Sequence, residues 1–103
     1  MGLYGIYGSH TVEACPLFNV GNRKLLLETA SGFDAKAAAF GIKVVAAYHS
    51  GLEHTFVWIV ESEDPHKIEE LMVQTKVAQW NSAKIVPLKT LQNVVNYCQN
   101  LED

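Results

Sequence analysis

Four side chains of this 103-residue sequence carry metal or proton chemistry at suggestive spacings. His10 and Cys15 stand as His-x4-Cys, and His49 and His54 as His-x4-His. Neutral imidazole and thiolate are the ligands that borderline-soft cations such as zinc and copper prefer. His10, Cys15, His49 and His54 therefore describe a candidate metal site. Imidazole also moves protons near neutral pH, so His10 or His54 is a candidate acid or base in a cofactor-independent enzyme of the isomerase or monooxygenase type. A third reading is a non-catalytic ligand-binding module. In it His10 and His54 only hydrogen-bond at a sheet rim, His49 is exposed by a turn, and Cys15 is a small apolar filler. No CxxC pair, glycine-rich phosphate loop, Ser-His-Asp set or nucleotide fingerprint accompanies these residues.

Around them, Glu13 lies between His10 and Cys15 as a possible outer partner orienting a histidine. Cys98 falls on an apolar helical stripe and reads as core. His66 reads as solvent-exposed, and Tyr4 and Trp58 as core or dimer contacts. Trp80, next to Asn81, precedes the last strand and reads either as a pocket wall or as core.

The elements that position these groups follow from local pattern. Leu3 to Val12 mixes Tyr, Ile, Thr and Val with small residues and no helical period, which suits a strand. Asn19 or Asn22 caps a helix whose apolar face begins at Leu25, Leu26 and Leu27. Ser31-Gly32 interrupts it, Asp34 caps a second piece over Ala35 to Phe40, and Gly41 supplies a left-handed end. Ile42 to His49 and His54 to Glu61 read as a hairpin with Gly51-Leu52 as a tight turn. That turn makes His49 and His54 a direct cross-strand pair with Cβ atoms about 5 Å apart. Asp64-Pro65 starts a helix carrying Ile68, Leu71, Met72 and Thr75 on one face. Ala83 to Leu88 is a last strand, placed at an edge by Pro87. Leu91, Val94, Val95, Cys98 and Leu101 mark a terminal amphipathic helix.

The order is that of a ferredoxin-like, split βαβ α+β domain. Its four-stranded antiparallel sheet has the first and third strands in the middle, and one extra helix lies at the C-terminus. His10, His49, His54 and Cys15 then share one rim of the sheet. The hairpin strands are apolar on both faces, with Val45, Ala47, Phe56 and Trp58 on one and Val44, Ala46, Val57 and Ile59 on the other. A sheet with one face in water alternates more cleanly, so the face without helices is expected to meet a second copy.

Length fits a single domain over residues 1–103, and 49% hydrophobic with 18% charged residues is an ordinary globular composition. A net charge of -3 offers no basic footprint for nucleic acid. No apolar run is long enough to span a membrane and the start lacks a signal-peptide pattern, so the expectation is a cytoplasmic protein with two free thiols.

The segment His10-Thr11-Val12-Glu13-Ala14-Cys15-Pro16, with Phe40-Gly41-Ile42, His54-Thr55, Glu63-Asp64 and Ile85-Val86-Pro87, resembles a family of small uncharacterised proteins. That family belongs to the dimeric α/β-barrel superfamily. The likeness spans nearly the whole chain. Its most specific part is the HT-x-E-x-CP element, and His10, Glu13, Cys15, Pro16 and His54 match while His49 does not. The resemblance implies a homodimer with facing sheets and a pocket between each sheet and its helices. The superfamily hosts enzymes, haem-handling proteins and ligand sensors, so the fold does not choose among them.

Overall fold

The computed structural model describes residues 1–102. Strand β1 (Gly2–Ser9) leads into a loop, then helices α1 (Val20–Ala30) and α2 (Phe33–Ala38). The hairpin β2 (Lys43–Ser50) and β3 (Thr55–Ser62) follows, then α3 (Pro65–Gln74), α4 (Val77–Trp80), β4 (Ser82–Leu88) and α5 (Leu91–Gln99). The strands form one antiparallel sheet in the order β2-β3-β1-β4, as the split βαβ reading requires, with Pro87 on an edge strand. The chain is therefore an α+β domain compatible with a ferredoxin-like fold.

One face of the sheet makes the core. Ile6, Phe56, Trp58 and Val60 meet Ala37 of α2, Ile68, Leu71 and Met72 of α3, and Val77 of α4. Two of the expected caps form, and Thr90 adds a third. Asn19 accepts from the Asn22 amide, Asp64 from that of Lys67 with Pro65 behind it, and Thr90 from that of Asn93. Gly41 has φ +72°, the left-handed end expected of it. Asp34 does not cap α2. Gly32, at φ +66°, precedes that helix, and Asp34 lies inside its first turn.

Two features of the hairpin differ from the sequence reading. Val45 is bulged out between Val44 and Ala46, so Val44 joins the core face, while Ala47 stays with Trp58 and Ala46 with Ile59 as the alternation gives. The connection is Gly51–His54 rather than a two-residue turn: Ser50 pairs with Thr55 and His49 with Phe56. The direct His49–His54 pair is thus not formed. The Ser50 hydroxyl accepts from the Glu53 amide and holds the longer loop, which leaves His54 at φ +57° at the entrance to β3.

The opposite face carries Leu3, Tyr7, Tyr48, Val57, Ile59, Val86 and Leu88, with no helix over it; Tyr48 is 68% exposed. Helix α5 is also unpartnered. It buries none of its residues, and Cys98, expected in the core, is exposed. Phe56 and Trp58 belong to the core of the single chain and not to the open face.

Candidate metal centre

The loop after β1 is tied down by side chains from the helix that follows it. The Thr11 hydroxyl accepts from the Ala14 amide. Asn19 donates to the Glu13 carbonyl, Asn22 to that of Ala14, and Arg23 to those of Pro16 and Leu17. The Cys15 carbonyl itself accepts from the amides of Phe18 and Asn19. This lattice fixes Cys15 at 2% exposure beneath the sheet rim. The His10 amide donates to the His54 carbonyl at 3.1 Å, so the start of this loop and the end of the hairpin loop are locked together.

His10, Cys15 and His54 converge there, with one donor atom from each within 4.8 Å of the others. The hydrogen-bond network assigns the His10 proton. Asn81 donates its amide nitrogen to the Val77 carbonyl at 3.1 Å, and a carbonyl can only accept. The Asn81 Oδ1 therefore faces His10 Nδ1 at 2.9 Å and can only accept in turn. His10 therefore carries a proton on Nδ1, and its neutral ring presents a lone pair at Nε2. That lone pair is buried with no protein partner, as is Nδ1 of His54. A buried polar atom left unpaired costs about 1–3 kcal/mol, and two of them beside a buried thiol are groups that a cation could pair.

The donor set fits that role. Zinc bonds of about 2.0–2.1 Å to nitrogen and about 2.3 Å to sulfur place tetrahedral ligands roughly 3.5 Å apart, so binding draws the cluster in by on the order of 1 Å. An imidazole whose far nitrogen donates to an amide oxygen is also the usual second layer of a metal ligand. The three residues can hold a metal ion.

His49 is not brought into this cluster. It lies on the core side of β2, where its ring stacks on Phe56 at 5.4 Å and its Nε2 accepts from the Trp58 indole at 3.0 Å. Burial against those rings, and secondarily the charge of nearby His10, hold its pKa below the ordinary 6.5. Glu13 is exposed and does not orient His10. Asn81 does, from the other end of the chain.

Trp80 completes the surroundings. Its ring lies 5.2 Å from that of His10, and its indole N–H is the third buried polar atom without a partner among the described residues. Short helix α4, which sets both Trp80 and Asn81, had no signal in the sequence beyond the tryptophan itself.

A concavity of about 740 Å³ lies on the open sheet face. Tyr7, Gly8, Tyr48, Thr55, Val57 and Lys84 are among the residues that line it. Gly8 is required on the other side of the strand: a Cβ there would stand 1.9 Å from the Phe56 ring. No helix is long and apolar enough to cross a membrane among the described residues. No protein-family model, curated protein or solved structure matches the chain.

Proposed function

We propose that the protein is a homodimeric transition-metal-binding protein whose ion, zinc or copper, is held by His10 Nε2, Cys15 Sγ and His54 Nδ1. The observation that carries this reading is the Nδ1 proton of His10, which leaves its unpaired Nε2 in a cluster with a second unpaired imidazole nitrogen and a buried thiol. A thiolate with two imidazoles favours zinc or copper over magnesium, calcium or manganese, which take oxygen ligands. Three protein donors match an open site that keeps one position for an exogenous ligand; a closed structural site has four.

Elemental analysis of protein made without a histidine tag tests this reading. One ion per chain is expected, lost in Cys15→Ser and in His10→Ala and retained in His49→Ala. A metal-free protein that takes up no zinc or copper on addition, or a His49→Ala variant as impaired as His10→Ala, would overturn it.

The second copy is assigned to the open sheet face. Tyr7, Tyr48 and Val57 form a row across three strands there, and the apolar stripe of α5 buries nothing within its own chain. The resemblance to the dimeric α/β-barrel proteins supports the same assembly. Because the His/Cys cluster lies on the helix side of the sheet, each chain brings its own three ligands.

A further inference from the structure

Three buried polar atoms lack a partner in the described residues: His10 Nε2, His54 Nδ1 and Trp80 Nε1. They belong to three rings, two of which flank that of His10: its centroid is 5.6 Å from that of His54 and 5.2 Å from that of Trp80. A cation satisfies the first two, since neutral His10 offers a lone pair at Nε2 and the Nε2–H tautomer of His54 offers one at Nδ1. It cannot satisfy the third. Indole nitrogen is a donor only, and a positive charge nearby makes its N–H more in need of an acceptor. The rim therefore asks for two partners of opposite sign.

The other tryptophan shows what a satisfied indole looks like in this fold. Trp58 Nε1 donates to His49 Nε2 at 3.0 Å. Trp80 has no such protein acceptor, and its Nε1 is shielded from solvent, so bulk water does not supply one. The three-ligand cation site leaves one coordination position for a group from outside the protein.

We propose that the site takes its cation together with a small ligand bearing an anionic oxygen, hydroxide or a small carboxylate. This oxygen occupies the fourth coordination position and accepts from the Trp80 indole N–H. The inference rests on the metal reading above and names what the metal binds. The indole selects an acceptor over a neutral donor ligand such as an amine, and a hydrogen bond to a charged acceptor is stronger than one between neutral groups.

The test uses the intact protein with zinc as probe and the indole N–H resonances of its two tryptophans as readout. Zinc alone, or zinc followed by acetate, is expected to move the Trp80 resonance downfield and slow its exchange with solvent. Trp58, already bonded to His49, stays in place as the internal reference. A shift with zinc alone identifies a solvent-derived oxygen, and a shift only on adding acetate identifies a carboxylate. Trp80→Phe should weaken zinc or acetate binding by on the order of ten-fold, since the lost bond goes to a charged group. Zinc bound at full stoichiometry with an unmoved Trp80 resonance in both conditions would overturn this inference and leave the metal reading standing. Failure of zinc to bind at all would overturn both. The wild-type resonances decide the matter even if Trp80→Phe does not fold.

Discussion

At the residue scale, the proton of one imidazole decides whether the rim can hold a cation. The chain Val77 O, Asn81 amide, His10 Nδ1 leaves Nε2 of the neutral ring as a lone pair, and each link follows from which atoms can only donate or only accept. Asn81→Ala should weaken zinc binding by about 10- to 100-fold without removing a ligand, the usual cost of losing an outer hydrogen-bond partner. Asn81→Asp, which keeps an acceptor for Nδ1–H, should stay near wild type. Zinc titration against a competing chelator checks this, and equal affinities for wild type and Asn81→Ala would contradict it. His49 makes a different prediction because its pKa is depressed in the fold. As pH falls, the unfolded chain takes up this proton first. The stability that neutral His49 contributes is thus complete above pH 6.5 and is lost as pH falls from there toward its lower folded value. His49→Gln, whose side-chain oxygen can still accept from Trp58, should lose less stability than wild type between about pH 7.5 and about pH 5.5 in urea unfolding. Parallel losses in the two proteins would place the acid sensitivity elsewhere.

At the element scale, the hairpin loop carries a strain that packing alone does not require. His54 sits at φ +57°, where a residue with a Cβ pays roughly 1–2 kcal/mol relative to glycine. Backbone strain of this kind concentrates at functional positions. His54→Gly should therefore be about 1 kcal/mol more stable than His54→Ala, which keeps the strain without the imidazole. Both should lose metal binding. Denaturant unfolding of the two variants checks this, and identical midpoints would remove the strain from the argument. The loop also marks how far sequence pattern reaches. Strand alternation, the Asp64-Pro65 cap and the apolar stripe from Leu91 to Leu101 are local signals, and they place the sheet, α3 and α5. That His10, Cys15 and His54 share a rim follows from strand direction alone. The four-residue loop and the bulge at Val45 depend on how β2 seats against β3 and α2, and no residue inside the turn announces them. For the same reason His49 reads as the partner of His54 when it pairs with Phe56. Asn81 lies 71 positions from His10, so no spacing rule connects them.

At the scale of the whole molecule, the single chain is extended, 55 × 30 × 18 Å with a radius of gyration of 15.6 Å. A compact domain of this length has about 13 Å. The excess fits a helix α5 that buries none of its residues and an open sheet face bearing Tyr7, Tyr48 and Val57. Light scattering should give twice the 11.4 kDa chain mass. Val57→Glu places a charge on that face without touching the core and should yield a monomer that still binds metal. A monodisperse wild-type monomer at micromolar concentration, or a Val57→Glu dimer, would contradict the assembly. The central claim concerns the rim, and X-ray absorption at the zinc edge of zinc-loaded protein addresses it most directly. The expected first shell is one sulfur at about 2.3 Å and three nitrogen or oxygen atoms at about 2.0–2.1 Å, with the sulfur lost in Cys15→Ser. A shell without sulfur in the wild-type protein, or an unchanged spectrum in Cys15→Ser, would contradict it.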